Sequence, residues 1–94
     1  MPKAIWKGVV LAESGDTTLL EGDHFFPPEA VNRQYLKKSN KKADRSWKGE
    51  ARYYHVVVGD DVNKNAAFYF SQPSKAAASI KDHVVFTKDV EVVP

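Results

Sequence analysis

The chain has no cysteine in its 94 residues. That absence excludes disulfides, thiolate catalysis and cysteine-held zinc together. No apolar run approaches the roughly 20 residues a membrane helix needs. The opening Met1-Pro2-Lys3-Ala4-Ile5-Trp6-Lys7 also lacks the apolar stretch and small-residue cleavage site of a signal peptide. A soluble, cytoplasmic protein without membrane association is therefore expected. There is no glycine-rich phosphate loop, no dinucleotide fingerprint and no Gly-x-Ser-x-Gly nucleophile turn. Neither charge sign is in marked excess, with 14 Lys and Arg against 12 Asp and Glu and a net charge of +2. That balance by itself argues against a nucleic-acid partner.

What is present fits one small β-rich domain over residues 1–94. Hydrophobic residues make up 43% and charged residues 28%, ordinary for a soluble domain large enough for one core. Lys3 to Glu13 reads as a first strand with Gly8 as a bulge, returning through Thr17–Glu21 as a hairpin. Pro27-Pro28 stops the next extended segment and opens a short helical turn. Residues 37–48 hold six cations and one acid and nothing strongly apolar before Trp47, the composition of a surface loop. Glu50 to Val58 is the strongest strand. Alternation sends Ala51, Tyr53, His55 and Val57 to one face and Arg52, Tyr54, Val56 and Val58 to the other, so both faces expect cover. Val62–Phe70, His83–Thr87 and Val90–Val93 read as further strands. The alanine-rich segment 74–81 reads as the one short helix, opened by Pro73 or Ser74.

Few constellations carry chemistry. Asp60-Asp61 occupies a turn, where adjacent aspartates serve local hydrogen bonds. His24, His55 and His83 lack metal-ligand spacing, and no metal or cofactor is expected. The basic segment and its neighbouring rings combine the elements that bind phosphates and bases; as a plain lysine loop it would instead confer solubility. The aromatic set, 11 residues by count, belongs mostly to a core. Trp47-Lys48-Gly49 is the exception, since a large ring, a flexible cation and a glycine can together form a ligand contact.

Trp6-Lys7-Gly8, Glu21-Gly22-Asp23-His24-Phe25-Phe26-Pro27, Trp47-Lys48-Gly49-Glu50-Ala51-Arg52-Tyr53-Tyr54, Ala66-Ala67-Phe68-Tyr69-Phe70 and Ile80-Lys81-Asp82-His83 follow one another in a familiar order. Across nearly the whole chain they resemble the 427th domain-of-unknown-function family, sometimes labelled nucleotidyltransferase-like. The resemblance implies a tent-like fold, mainly β, of antiparallel sheets packed at an angle, in which relatives often use a zinc site or an aromatic pocket. In the family the tryptophan-lysine-glycine signature usually follows Cys-Pro; here Arg45-Ser46 stand in that place. The converging carboxylates of metal-dependent nucleotidyl transfer are missing, so the residues do not support that label.

The resulting expectation is a binding module for a small planar, anionic or nucleotide-like molecule. Its candidate residues are Glu21, Trp47, Lys48, Tyr53, Tyr54 and Tyr69. One alternative is an enzyme with Glu21 or His55 as base and Lys48 or Tyr54 steadying negative charge. Another is nucleic-acid binding through Lys37–Lys48. The last strand, Val90–Val93, offers an edge for a homodimer.

Overall fold

The computed structural model describes residues 1–94. It contains nine strands, joined by turns and short 3-10 segments: β1 Lys3–Trp6, β2 Val9–Glu13, β3 Thr18–Leu20, β4 Asp23–Phe25, β5 Leu36–Asp44, β6 Glu50–Val58, β7 Asp61–Tyr69, β8 Val84–Phe86 and β9 Glu91–Val93. They form three antiparallel sheets, ordered β2-β1-β9, β3-β4 and β5-β6-β7-β8. The mainly antiparallel β domain read from the sequence is therefore the observed fold. No helix is long and apolar enough to cross a membrane.

Three local readings change. The segment Lys3–Glu13 is two strands rather than one bulged strand. Lys7 and Gly8 both have positive φ, 53° and 74°, and close a two-residue turn between Trp6 and Val9. That is the primed turn geometry that matches strand twist, so Gly8 turns the chain instead of bulging it. Thr18–Leu20 accordingly pairs with β4, through a second such turn at Glu21 and Gly22. Residues 37–44 are not a loop, because Leu36–Asp44 pairs with β6 as the edge strand of the largest sheet, and only 45–48 turn away from it. An edge strand can be built from lysines because one side of its backbone needs no partner, and lysine there resists pairing with other chains. Finally, 74–81 is not an α-helix. Lys75–Ile80 forms 3-10 turns kinked at Ala77, and Ser74 occupies the cap position without a side-chain capping bond.

The four-stranded sheet is covered on both faces by different elements. On one face Tyr54, Val56, Ala67 and Val84 pack with Ala4, Leu11 and Ala12 of the three-stranded sheet. On the other, Ala51, Tyr53, Phe68 and Val85 pack with Phe25 of the β3–β4 hairpin and with Ala77 and Ile80 of the 3-10 turns. The alternation along β6 predicts this division residue by residue.

Two bulges bracket β6. Between Lys38 and Lys42, β5 spends four residues where β6 spends two. Between Asn63 and Ala67, β7 does the same opposite Tyr54–Val56, with Asn65 at φ 55°. Extra residues of this kind bend a strand and re-aim its side chains. Asn65 donates its backbone N–H to His55 Nδ1 at 3.0 Å, and Ser39 Oγ donates to Asn65 Oδ1. The bulge that interrupts the ladder is thus held by the histidine opposite it.

Phe68 is 2% exposed, 5.8 Å from Tyr53 and 5.9 Å from Phe70 between ring centroids. Phe68→Ala is expected to lower unfolding free energy by about 3–5 kcal/mol, the range for large aromatic deletions, measured by urea denaturation.

Candidate functional site

Trp47-Lys48-Gly49 has a local structural logic. Ser46–Lys48 is a single 3-10 turn, and Gly49 follows at φ 116° and ψ −158°, a region that is essentially glycine-only. A Cβ there would lie 3.3 Å from the Gln72 carbonyl oxygen and 3.5 Å from Pro73. Glycine is needed twice over, for its backbone angles and for this close approach. Gly49 oxygen accepts from Arg45 N–H at 2.9 Å, and Lys48 oxygen accepts from Ser74 N–H at 3.1 Å. The signature thereby fastens the start of β6 to the segment leading into the 3-10 turns.

Lys48 is the one buried charged residue, at 8% exposure. Its Nζ donates to Glu21 Oε1, and it lies 5.5 Å from the Trp47 ring centroid. Glu21 occupies the first position of the β3–β4 turn at φ 51°, where asparagine, aspartate or glycine is normally preferred. The ion pair offsets that backbone cost and ties the hairpin to Trp47-Lys48-Gly49. Trp47 itself stays 45% exposed. Glu21, Trp47 and Lys48 therefore come together as a latch between two elements distant in sequence.

The tyrosines lie elsewhere. Tyr54 and Tyr69 stack with centroids 4.6 Å apart and planes inclined at 23°. Arg33 Nη1 donates to the Tyr54 hydroxyl at 3.2 Å, and Arg52 is the cross-strand neighbour of Tyr69. Cross-strand partners share a face, so Lys38 opposite Tyr54 and Lys42 opposite Arg52 border the same stack. Burial first, then the neighbouring Tyr54 and also Asp82, raise the Tyr69 phenol above its ordinary 10.0, with Arg52 opposing them. Tyr69 thus carries a proton, and remains a donor, throughout the neutral range.

Tyr53 sits on the opposite face, beside Phe68. Lys41 Nζ lies 4.6 Å from the Tyr53 centroid and the Arg45 guanidinium 4.7 Å from that of Phe68. Such cation–ring contacts close this end of the second core.

The six residues singled out from the sequence therefore divide into a latch, a stacked pair and a capped core ring. They line no common cavity, because neighbouring residues of a strand point to opposite sides. The acid–base set is likewise dispersed. Glu21 holds Lys48, His55 Nδ1 accepts from Asn65, and Tyr54 faces away from His55. His24 meets Thr17 Oγ1 and His83 meets the Lys81 carbonyl, both at 3.0 Å. Sequence reasoning missed Arg33 and Arg52. Arg52 was legible from alternation beside Tyr54, whereas Arg33 reaches Tyr54 across 21 positions with no local signal.

Two measurements follow. Glu21→Gln leaves a buried ammonium without a carboxylate. Because Glu21 is half-exposed, the expected loss lies between the ~1 kcal/mol of an exposed pair and the ~3 kcal/mol of a buried one. A Glu21→Gln/Lys48→Met cycle in urea would isolate the coupling. For Tyr69, a pKa raised on folding means the native state holds its proton more tightly. That contribution is complete below the unfolded pKa and is lost as pH rises through the higher folded value. Stability of the wild type should thus fall more steeply above pH 10.0 than that of Tyr69→Phe, as read by urea unfolding across that range.

No curated protein matches the chain. A family match spans residues 2–93, nearly its whole length, and includes the Trp47-Lys48-Gly49 turn, the Glu21 hairpin and the Tyr54–Tyr69 strands; the chain belongs to the family described as Domain of unknown function (DUF427).

Proposed function

We propose that the protein binds a small planar, anionic molecule of nucleotide-like chemistry at the margin of the four-stranded sheet, where half-buried Tyr69 stacks on the buried Tyr54. The observation that carries this reading is the 4.6 Å ring stack flanked by Arg33 and Arg52. An aromatic surface offers a planar group contact on its face, and guanidinium groups form forked hydrogen bonds to phosphate or carboxylate. Tyr69, held protonated, adds a neutral donor to the same place. Arg33 is exposed and Tyr69 half-buried, while Tyr54 is buried beneath them, so a ligand would meet Arg33 and the open part of Tyr69 at the surface, with Tyr54 backing the ring from the core. Arg52 is shared with Glu50 at 3.4 Å, an exposed pair that is readily exchanged for a ligand anion.

In this reading Glu21, Trp47 and Lys48 serve the site by fixing the start of β6, and hence the registers that set Arg52 and Tyr54 in place. Tyr53 supports the same strand from the opposite face.

Thermal shift with nucleoside monophosphates and small aromatic acids is the direct test. A ligand at about 100 times its dissociation constant should stabilise the fold by roughly 2.7 kcal/mol. Arg33→Ala and Arg52→Ala should each remove most of that stabilisation while retaining the fold. Absence of any stabilising compound in both classes would defeat the reading.

A further inference from the structure

The near-neutral net charge hides a strong segregation. Residues 33–52 contain eight Lys and Arg and only two acids, while the rest of the chain contains six Lys and Arg and ten acids. The fold concentrates this charge instead of dispersing it, because most of it lies on β5 at the free edge of the largest sheet. Lys37, Lys38, Lys41 and Lys42 are exposed. None is in a salt bridge, since the ion pairs of the structure are Lys3–Glu13, Lys48–Glu21 and Arg52–Glu50.

Alternation along β5 places these cations on both sides of the edge. Lys38 and Lys42 stand opposite Tyr54 and Arg52 on the stacked-tyrosine face. Lys37 stands opposite His55, and Lys41 reaches over Tyr53, on the other face. The strand then leads through Arg45 directly into Trp47, an exposed ring with Lys48 against it. Lys48 is already neutralised by Glu21, so Trp47 offers a ring while the unpaired charge lies along β5. Asp44 and Glu50 are the acids of this region. They pair in register at the end of the strand, and Glu50 is engaged by Arg52.

We infer that the ligand is a single-stranded nucleic acid, its phosphates following the β5 ridge and one base stacking on Trp47. This rests on the nucleotide-like reading of the Tyr54–Tyr69 face and extends it from one nucleotide unit to a strand. A row of unpaired cations tracks a phosphate backbone, and an aromatic ring at its end takes a base without regard to sequence. Nine residues of strand extend about 30 Å at ~3.3 Å per residue, suited to a segment of several nucleotides. A duplex would present no unstacked base to Trp47.

The test uses the full chain and a fluorescent oligothymidylate of about ten nucleotides, within the ~4–16 that small single-strand-binding domains cover. Fluorescence anisotropy over a salt series should show binding that weakens with a log–log slope near −3, from about 0.7 per phosphate contact and four lysines. Lys38→Glu/Lys42→Glu should weaken binding at least tenfold and flatten the slope, while Lys7→Glu/Lys64→Glu, with the same change in net charge, should not. Trp47→Ala should cost about tenfold, the scale of one stacked base, with thermal melting confirming that each variant folds. Equal binding of a duplex or of polyglutamate, or indifference to Trp47→Ala, would overturn the inference. If thymidine monophosphate binds and the oligonucleotide binds no tighter, the strand inference fails and the small-ligand reading stands. If neither binds, the strand inference fails, and the small-ligand reading is decided by its own screen of monophosphates and aromatic acids.

Discussion

The central strand β6, like its neighbours β7 and β8, has side chains buried on both sides, and the rest of the protein is arranged by that constraint. Ala51 and Tyr53 point into one core while Tyr54 and Val56 point into the other. A strand in this position needs a separate cover for each face, because its sheet would otherwise leave aromatic surface in water. The three-stranded sheet supplies one cover. The β3–β4 hairpin and the kinked 3-10 turns supply the second. Neither cover is large, so small residues in β6 and β7, notably Ala51, Ala66 and Ala67, permit close approach without loss of packing.

The Glu21–Lys48 pair follows from the same constraint. The hairpin contributes Phe25 and Leu20 to the second core, yet it forms only a two-stranded sheet of its own, a unit that is marginal without support. The ion pair joins its turn to the residue just before β6. Gly49 brings the backbone at that junction close to Gln72 and Pro73, and Lys48 oxygen binds Ser74. Hairpin, junction and 3-10 segment thus meet around one buried lysine. Its burial marks a structural role, whereas the lysines of β5 are exposed and belong to no ion pair.

The charged ridge and the protection of the sheet edge draw on the same residues. Lysines on an exposed edge strand discourage pairing with another chain, and they also create a local positive field that a net charge of +2 conceals. The bulge in β5 also disturbs the flat edge. The one in β7 is fixed opposite β6, with Asn65 held by His55 and Ser39.

Several features were legible in the sequence because they depend on nearest neighbours. Alternation in Glu50–Val58 predicted which side each residue of β6 would face. The absence of cysteine and of metal-ligand spacing among the histidines left rings and cations as the chemical groups on offer. The tryptophan-lysine-glycine signature marked the junction that the structure shows to need glycine. Other features required the folded chain. Lysines in 37–48 resemble a loop by composition, and only pairing with β6 makes 37–44 a strand, since an edge position removes the need for an apolar face. Alanines in 74–81 favour a helix in isolation, but in the fold the segment forms kinked 3-10 turns that set Ala77 and Ile80 into the second core. Arg33 on Tyr54, and Glu21 on Lys48 across 27 positions, are non-local contacts with no local sequence signal. The sequence by itself determined the β class, the faces of the central strand and the chemical groups available. The tertiary structure alone decided which of those groups meet, because that depends on strand order and on how each face of β6 is covered.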